Sequence, residues 1–234
     1  MRIKNKPDRL DFIDNKNMAR AHRHYEPGYV WHITQRCLNQ EFFLKYDYFR
    51  KRWIYWLSES KKRFKLSLFN YMVTSNHIHL LAYSDSPENE IAKTMHLVSG
   101  RVAQEFNKLN KRKGSFWEDR YHSTAVQSNL HLLRCMVYID MNMVRAGEVK
   151  HPREWPYCGY HEIACQKRNN KKRLIDLECL SKLIGMEYEY FQEIHSYICK
   201  EYLKKKNYKR EDRWTENIAV GSPEFVENLK IKLK

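Results

Sequence analysis

The chain alternates between short runs rich in β-branched and aromatic residues and longer runs in which apolar residues recur at helical spacing. The short runs predict β-strands, because such residues suit the half-buried surface of a sheet. The longer runs predict amphipathic helices. In chain order the predicted strands cover residues 29–37, 66–73, 77–83 and 121–127, and the predicted helices cover residues 46–63, 87–109 and 129–146.

The second predicted helix has both a start signal and a continuous apolar stripe. Ser86 suits the N-cap position, and Pro87 suits the first helical turn. The apolar stripe behind them lies at Ile91, Met95, Val98, Val102, Phe106 and Leu109.

The other two helices have similar signals. In the third, Asn129 can serve as the N-cap and Gly147 as a left-handed stop. The stripe of the first helix lies at Phe49, Trp53, Ser60 and either Trp56 or Leu57.

Together these elements follow the order β-α-β-β-α-β-α. The first six have the ferredoxin-like order βαββαβ, an antiparallel sheet with two helices on one face. The seventh element, a helix, is then available for the opposite face. We therefore predict an α+β fold with a ferredoxin-like antiparallel sheet.

The pattern divides the chain into three parts. Residues 1–28 are polar and basic and end in a Pro-Gly turn, which predicts an N-terminal arm. Residues 29–164 contain the predicted sheet and form the main domain. Residues 165–234 begin with a basic linker and predict a helical C-terminal extension, with helical stretches at 174–184, at 188–205 and from Ser222 onward.

The composition narrows the class of partner. Lys and Arg total 43 against 28 Asp and Glu, which gives a formal net charge of +15, and 42% of the residues are hydrophobic. A chain that is this basic and also apolar enough for a core favours a nucleic acid partner first and an anionic membrane surface second. No run is apolar enough to span a membrane, and the charged start is not typical of an export signal. We therefore expect a soluble, cytoplasmic protein with no membrane anchor.

The cysteine pattern argues against a disulfide framework or a zinc finger. The six cysteines form no CxxC pair and no finger spacing. In a cytoplasmic protein the default prediction is free, buried thiols. They are Cys37, Cys135, Cys158, Cys165, Cys179 and Cys199.

Candidate chemistry begins with two histidines on the third predicted strand. Alternate side chains of a strand share a face, so His77 and His79 point one way while Ile78, Leu80 and Ala82 point the other. The apolar face suits packing beneath the first two helices, which leaves the histidine face for the last helix. Two imidazoles on one face can bind a divalent metal. By itself, such a pair is more often just two half-exposed histidines.

The last predicted helix carries a polar stripe made by Arg134, Tyr138, Asn142 and Arg145. Asn142 offers an amide oxygen as a third metal ligand, and Tyr138 lies one turn away. A phenol becomes nucleophilic when its proton is lost, which a metal ion and neighbouring arginines favour. Alone, the stripe would be an ordinary solvated basic face. Together with the histidine pair, it predicts attack of Tyr138 on a phosphodiester with help from a metal.

Five stretches of the chain add a resemblance. They are residues 29–36 (YVWHITQR), 71–81 (YMVTSNHIHLL), 114–121 (GSFWEDRY), 133–149 (LRCMVYIDMNMVRAGEV) and 151–160 (HPREWPYCGY). In this order and spacing they resemble the REP-associated tyrosine transposases, within the HUH single-strand endonucleases and transposases. With Met18-Ala19-Arg20 included, the likeness covers about residues 18–160.

The resemblance implies a role for each polar residue of the site. His77, His79 and Asn142 would be ligands of Mg²⁺ or Mn²⁺, and Tyr138 would be the nucleophile on a helix added to the ferredoxin-like sheet. The enzyme would cleave and rejoin single-stranded DNA next to a hairpin through a 5′-phosphotyrosine intermediate. It would be associated with the nucleoid. The sequence does not distinguish a monomer from a homodimer.

Basic residues close to aromatic ones predict the DNA contacts. Cations bind the phosphate backbone, and aromatic rings stack on unpaired bases. For most single lysines, solubility is a sufficient explanation. The predicted contacts are Arg20, Arg36, Lys111, Arg112, Lys113, Trp117, Arg120, Arg134 and Arg145.

Two other functions stay open at this point. A catalytically silent relative that binds DNA hairpins would not need His77, His79, Tyr138 and Asn142. The presence of all four therefore argues against this function. A zinc hydrolase built on the histidine pair would need a third histidine and a carboxylate base at ligand spacing, and the sequence has no obvious example of either. The sequence therefore favours the transposase.

Overall fold

The computed structural model describes residues 25–128, 130–164, 173–205 and 209–233, and its centre is a five-stranded sheet. The strands are β1 (Tyr29–Arg36), β2 (Ser67–Val73), β3 (His77–Ser84), β4 (His122–Val126) and β5 (Ala219–Val220). Their order across the sheet is β2-β3-β1-β4-β5. The first four pair antiparallel in the ferredoxin-like order, so the predicted fold class is confirmed. The sequence pattern does not predict β5, which pairs parallel with β4 and makes the sheet mixed.

Helices cover both faces of this sheet. None of those within the described residues is both long and apolar enough to cross a lipid bilayer. They are α1 (Asp47–Arg63), α2 (Glu90–Leu109), α3 (Leu130–Asp140), α4 (Asn142–Arg145), α5 (Tyr160–Ala164), α6 (Leu177–Ile184), α7 (Tyr188–Lys205), α8 (Arg213–Glu216) and α9 (Pro223–Lys232).

The two faces of the sheet have different partners. On one face, Ser99 of α2 donates a hydrogen bond to Gln35 of β1 at 2.6 Å, and α1 packs beside α2. Ile78 is the cross-strand neighbour of Gln35, so it shares that face. On the other face, His79 lies 2.8 Å from Asn142 of α4, and α3 packs across β2 and β4. The predicted separation of an apolar face from a histidine face is therefore confirmed.

The stripe of α1 uses Leu57 rather than Trp56. Leu57 is fully buried together with Phe49, Trp53 and Ser60. Trp56 is only half-buried, and its indole N–H donates to Glu105 of α2 at 2.9 Å.

The start of α2 differs from its prediction. The N-cap is Asn89, whose side-chain oxygen accepts from the backbone N–H of Ala92 at 2.9 Å, so the helix begins three residues after Pro87. Ser86 instead accepts from the backbone N–H of Glu88 within the preceding turn. The stripe is buried except for Leu109, which lies 60% exposed in the last turn, beyond the point where Phe106 packs on other aromatic rings.

The predicted helix over residues 129–146 is interrupted. Helix α3 ends at Asp140 and α4 begins at Asn142. At the break, the carbonyl oxygen of Tyr138 accepts a hydrogen bond from the side chain of Arg145 at 2.8 Å. A side chain thus partners a carbonyl at the helix end. Gly147 adopts the predicted left-handed conformation with φ of 75°, while the predicted cap Asn129 lies outside the described residues.

The C-terminal part of the chain packs on the sheet and on α3. Ile175 forms an isolated bridge with Leu68 of β2, and α7 contacts α3. Helix α9 begins as predicted, with the Ser222 hydroxyl accepting from the backbone N–H of Phe225. The division into an arm (1–28), a main domain (29–164) and an extension (165–234) stays a prediction, and most of the arm and the basic linker lie outside the described residues.

The thiol prediction holds for the cysteines that the structure describes. All five of them are free, and four are buried: Cys37, Cys135, Cys158 and Cys199. Burial raises the pKa of Cys37 to about 12, which keeps this thiol protonated. The sixth, Cys165, lies outside the described residues.

Candidate active site

The two histidines of β3 converge on a single asparagine. Because they are two residues apart on one strand, both rings point to the face covered by α3 and α4. Nε2 of His79 lies 2.8 Å from the amide nitrogen of Asn142, and Nε2 of His77 lies 3.4 Å from the same atom. Two imidazole nitrogens and one side-chain amide therefore meet at one point, as the sequence predicts.

The turn between β2 and β3 orients His77. Its Nδ1 lies 2.7 Å from Oδ1 of Asn76 and 3.0 Å from Oγ1 of Thr74. An amide oxygen only accepts, so Nδ1 of His77 carries the hydrogen and Nε2 keeps a lone pair. This tautomer is the one that can bind a metal through Nε2.

A third histidine, His32 of β1, orients His79. Its Nε2 lies 2.9 Å from Nδ1 of His79, and the two rings stack with centroids 5.1 Å apart. Nδ1 of His32 lies 2.7 Å from the carbonyl oxygen of Trp214. Sequence reasoning missed this residue. His32 is two residues from Thr34 on β1, so the two side chains share a face, and Thr34 is the cross-strand neighbour of His79. The sequence could have indicated His32 only if this strand register had been known.

Burial keeps all three imidazoles neutral. It lowers the pKa of His32 to about 4, and burial together with the charge of Arg36 lowers the pKa of His77 to about 4. The pKa of His79 is also well below its usual value, first because of burial and then because of its two histidine neighbours. Neutral imidazole is the form that binds metal.

Tyr138 lies against this cluster. Its ring centroid is 6.0 Å from that of His79, 6.2 Å from that of His32 and 6.0 Å from that of Trp214. The Arg145 guanidinium lies over the ring, 4.0 Å from its centroid. Burial raises the pKa of Tyr138, since only 3% of the residue is exposed, and the charges of Arg145 and Arg210 act in the opposite direction. The arginines thus stabilise the phenolate that burial disfavours.

An open cavity of about 570 Å³ connects these groups to solvent. It is large enough for a nucleotide-sized ligand. Its lining carries four arginines, the side chains expected to face phosphate, and three carboxylates, those of Glu118, Asp119 and Glu216. The polar lining includes His77, His79, Tyr138 and Asn142 together with Arg36, Arg120, Arg145 and Arg210.

Comparison with known protein families points to transposases. The family model for IS200-like transposases matches residues 27–142, a segment that spans β1 to β4, Tyr138 and Asn142. This part of the chain belongs to the IS200-like transposase family. No curated protein matches the sequence.

A solved transposase structure shares the fold. A REP-associated tyrosine transposase bound to a REP hairpin superposes with a TM-score of 0.54 at 18% identity, over 68% of this chain and 93% of that chain. A candidate transposase from Deinococcus radiodurans R1 matches with a TM-score of 0.34 at 16% identity, over 45% of this chain and 84% of that chain.

The transposase fold brings three of the predicted DNA-binding arginines to the cavity. Arg36, Arg120 and Arg145 all line it. Arg210, which follows α7, lines it too and was not predicted. Because Arg210 lies far from the other site residues along the chain, only the packing of the C-terminal part identifies it.

The other predicted DNA contacts lie elsewhere. Arg134 is exposed on α3 and does not line the cavity. Arg112 covers the ring of Phe43 at 4.7 Å between the exposed Lys111 and Lys113. Trp117 is buried and donates its indole N–H to the carbonyl oxygen of Ser99 at 3.0 Å, and Arg20 lies outside the described residues.

A second group of possible metal ligands lies between α3 and α7. Asp140, His195 and Cys199 are fully buried, and their ligand atoms lie within 4.8 Å of one another. Nε2 of His195 is 2.7 Å from Oδ2 of Asp140, whose other oxygen accepts from Asn70 at 2.9 Å. Burial alone would lower the pKa of His195, but Cys199 and the hydrogen bond with Asp140 raise it to about 10. These three residues could hold a metal ion, and the distances also fit a buried hydrogen-bonded pair.

The depressed pKa of His32 predicts sensitivity to acid. The pKa falls from 6.5 to about 4 on folding, so the unfolded chain binds the extra proton between these values. The stability contributed by the neutral ring is complete above pH 6.5 and is lost as the pH falls through about 4. We expect the free energy of unfolding to lose up to about 3 kcal/mol over this window from His32 alone.

Urea titrations in EDTA at a series of pH values measure this effect. The His32→Gln variant is expected to show a shallower decline than the wild type, whereas His96→Gln, on the exposed side of α2, is expected to follow the wild-type slope. An unchanged slope in His32→Gln would contradict the assignment.

Proposed function

We propose that this protein is a metal-dependent tyrosine transposase that cleaves and rejoins single-stranded DNA next to a hairpin. The observation that carries the proposal is the meeting of His77, His79 and Asn142 at one point, with Tyr138 against His79 in a cavity whose lining includes four arginines. Membership in the IS200-like transposase family supports DNA strand transfer as the class of reaction.

The donor set fits a divalent cation. His77 and His79 would supply Nε2 lone pairs. Asn142 would supply its amide oxygen after rotation of the amide group, whose nitrogen faces both histidines here. Such a set, completed by water or phosphate oxygens, suits Mg²⁺ or Mn²⁺, with the imidazoles tending to favour Mn²⁺. When bound, the ion polarises a phosphate oxygen and favours the ionised phenol.

The remaining chemistry belongs to residues of this chain. Oη of Tyr138 attacks the phosphorus, forming the phosphotyrosine bond as the bond from phosphorus to the 3′ oxygen breaks. The phenol proton passes to water in the cavity, and the departing 3′ oxygen takes up a proton from water. Arg145 over the ring stabilises the phenolate, and Arg36 and Arg120 face the phosphates. The linkage energy is kept in the covalent intermediate, so the strand can be rejoined.

Hairpin DNA is the substrate that fits these features. The structurally similar REP-associated transposase is bound to a REP hairpin, and the formal charge of +15 here suits a polyanionic partner. Action on chromosomal repeats would place the protein at the nucleoid.

A cleavage assay tests the proposal. The protein is incubated with labelled oligonucleotides that carry hairpins from repeats flanking its own gene, in Mn²⁺ or in EDTA. We expect a covalent protein–DNA adduct and a free 3′-OH product in Mn²⁺ only. Tight hairpin binding without any adduct in Mn²⁺ or Mg²⁺ would instead support a catalytically silent hairpin-binding protein.

The cavity arginines predict a specific salt dependence. Replacing Arg120 with alanine is expected to weaken binding of a hairpin oligonucleotide. It should also reduce the slope of log affinity against log salt by about 0.7, the value for one single-strand phosphate contact. Fluorescence anisotropy at several salt concentrations measures both quantities.

Arg101→Ala is the matched control, because Arg101 is an exposed arginine of α2 that lies over the Trp56 ring and does not line the cavity. Its affinity and slope are expected to stay close to wild type. Equal losses in both variants would show that the protein binds DNA through diffuse charge rather than through the cavity.

A further inference from the structure

A chain of three hydrogen bonds connects the C-terminal part of the protein to the candidate metal site. The carbonyl oxygen of Trp214 lies 2.7 Å from Nδ1 of His32. Nε2 of His32 lies 2.9 Å from Nδ1 of His79, and Nε2 of His79 lies 2.8 Å from the amide of Asn142. His32 is fully buried and His79 is 2% exposed, so water does not compete for these bonds.

The chemistry of each atom determines which ring nitrogens carry hydrogen in this series of hydrogen bonds. A carbonyl oxygen only accepts, so Nδ1 of His32 carries the hydrogen. A neutral imidazole has one N–H, so Nε2 of His32 accepts from Nδ1 of His79. The single hydrogen of His79 is then on Nδ1, and Nε2 of His79 keeps its lone pair. That lone pair points at Asn142, where the donor atoms meet.

The environment of His32 favours the neutral ring that this order requires. The ring is stacked on His79 and meets the edge of Tyr138. Among the described residues, no carboxylate is hydrogen-bonded to it, and the Arg145 guanidinium lies over the neighbouring Tyr138 ring, 4.0 Å from its centroid. A protonated ring would add a second positive charge in a buried, cationic setting.

The series Trp214–His32–His79–Asn142 forms a hydrogen-bond relay, and its Trp214 end is fixed by the segment between α8 and β5. Thr124 of β4 donates to the carbonyl oxygen of Asn217 at 2.6 Å, and the backbone N–H of Ala125 donates to that of Ile218 at 2.9 Å. These bonds fix the segment that follows α8 against β4. The Trp214 side chain is buried, which fixes the start of the same segment.

We propose that His32 is a positioning residue that holds His79 in its metal-binding tautomer, and that the C-terminal part completes the site through the Trp214 carbonyl. The proposal rests on the proposed function for its consequence, but the tautomer itself does not depend on catalysis. Outer-sphere partners of this kind fix the ring orientation and basicity of a metal-binding histidine.

The direct test needs no variant. Two-bond ¹⁵N–¹H correlation spectra of the metal-free, full-length protein report which nitrogen of each histidine carries hydrogen. We expect His32 and His79 to be neutral with the hydrogen on Nδ1. Hydrogen on Nε2 of His79, or on both nitrogens of His32, would overturn the proposal whatever the protein does to DNA.

Variants test the consequence for metal binding. His32→Leu removes the acceptor, and we expect the Mn²⁺ affinity measured by calorimetry to fall about 10–100-fold. His32→Gln can place an amide oxygen near the position of Nε2, so we expect it to stay within about threefold of wild type. His96→Gln, on the exposed side of α2, controls for loss of a histidine. Circular dichroism and hairpin binding identify any variant that fails to fold.

The outcomes separate this proposal from the proposed function. Wild-type affinity in a folded His32→Leu protein would overturn the positioning role. If wild-type protein binds no Mn²⁺ yet His79 has the expected tautomer, the relay stands and the metal-dependent function fails. If Mn²⁺ binds and DNA is cut while His79 carries hydrogen on Nε2 in the metal-free protein, the function stands and the relay fails.

Discussion

Replacing Tyr138 with phenylalanine is expected to abolish covalent capture of cut DNA while leaving hairpin binding near the wild-type level. The ring keeps its contacts with His79, His32 and Trp214, because the change removes only the hydroxyl oxygen. Without that oxygen the phosphotyrosine bond cannot form. We expect cleavage to fall at least about 10³-fold, as for loss of other catalytic nucleophiles. Denaturing gels of labelled hairpin oligonucleotides in Mn²⁺ measure the adduct.

Tyr202→Phe is the matched control for this prediction. Tyr202 is a half-buried tyrosine of α7 whose hydroxyl donates to Glu211, and it does not line the cavity. We expect its adduct yield to stay within about twofold of wild type, which is typical of a residue outside the reacting groups. An adduct that persists in Tyr138→Phe and disappears in Tyr202→Phe would move the nucleophile to the C-terminal part.

Loss of either strand histidine is expected to have the next largest effect. His77→Ala and His79→Ala each remove one of the three groups that meet at Asn142. Loss of an outer-sphere partner lowers metal affinity by up to about 100-fold, and loss of a ligand should lower it further. We therefore expect Mn²⁺ affinity to fall by more than about 100-fold and cleavage at moderate Mn²⁺ to disappear. Hairpin affinity in EDTA should change little, since the phosphate contacts come from the arginines.

His96→Ala serves as the control, because this histidine is exposed on α2, on the opposite face of the sheet from Asn142. Calorimetry with Mn²⁺ and the cleavage gel are run on all three variants. Metal-dependent cleavage at wild-type rates in His77→Ala and His79→Ala would rule out the histidine pair as the metal site. It would direct attention to Asp140, His195 and Cys199.

The C-terminal part of the chain contributes more to the site than a solvated tail would. It adds β5 to the sheet, covers α3 with α7 and brings Arg210 and Trp214 to the cavity and the histidine cluster. The burial of Asp140 against His195 anchors α3 from the side opposite the cavity. The helix that carries Tyr138 is therefore held between the sheet and the C-terminal part.

Local sequence signals were sufficient where a single element decides the outcome. The two-residue spacing of His77 and His79 places both rings on one face of β3, and a spacing of four places Asn142 one turn after Tyr138. Ser222 before Pro223 predicts the start of α9 correctly. The element order also predicts the ferredoxin-like sheet, because few arrangements bury the apolar face of each element.

Local sequence signals failed where contacts with neighbouring elements decide where a helix or strand begins and ends. Ser86 and Asn89 both suit an N-cap, and the turn after β3 leaves Asn89 at the helix start. The last helix is interrupted between Asp140 and Asn142, where Arg145 bonds to the Tyr138 carbonyl, although the apolar spacing continues through the break. The two residues of β5 are too few for a period-2 pattern, so only pairing with β4 defines them.

The sequence by itself determined which groups can react: two histidines on one strand face, a tyrosine and an asparagine one turn apart, and a basic surface. Only the tertiary structure decided how those groups are oriented. His32 reaches His79 through strand register, and it is oriented by Trp214, 182 residues away. That contact uses a backbone carbonyl, which every residue has, so no residue type in the sequence could reveal it.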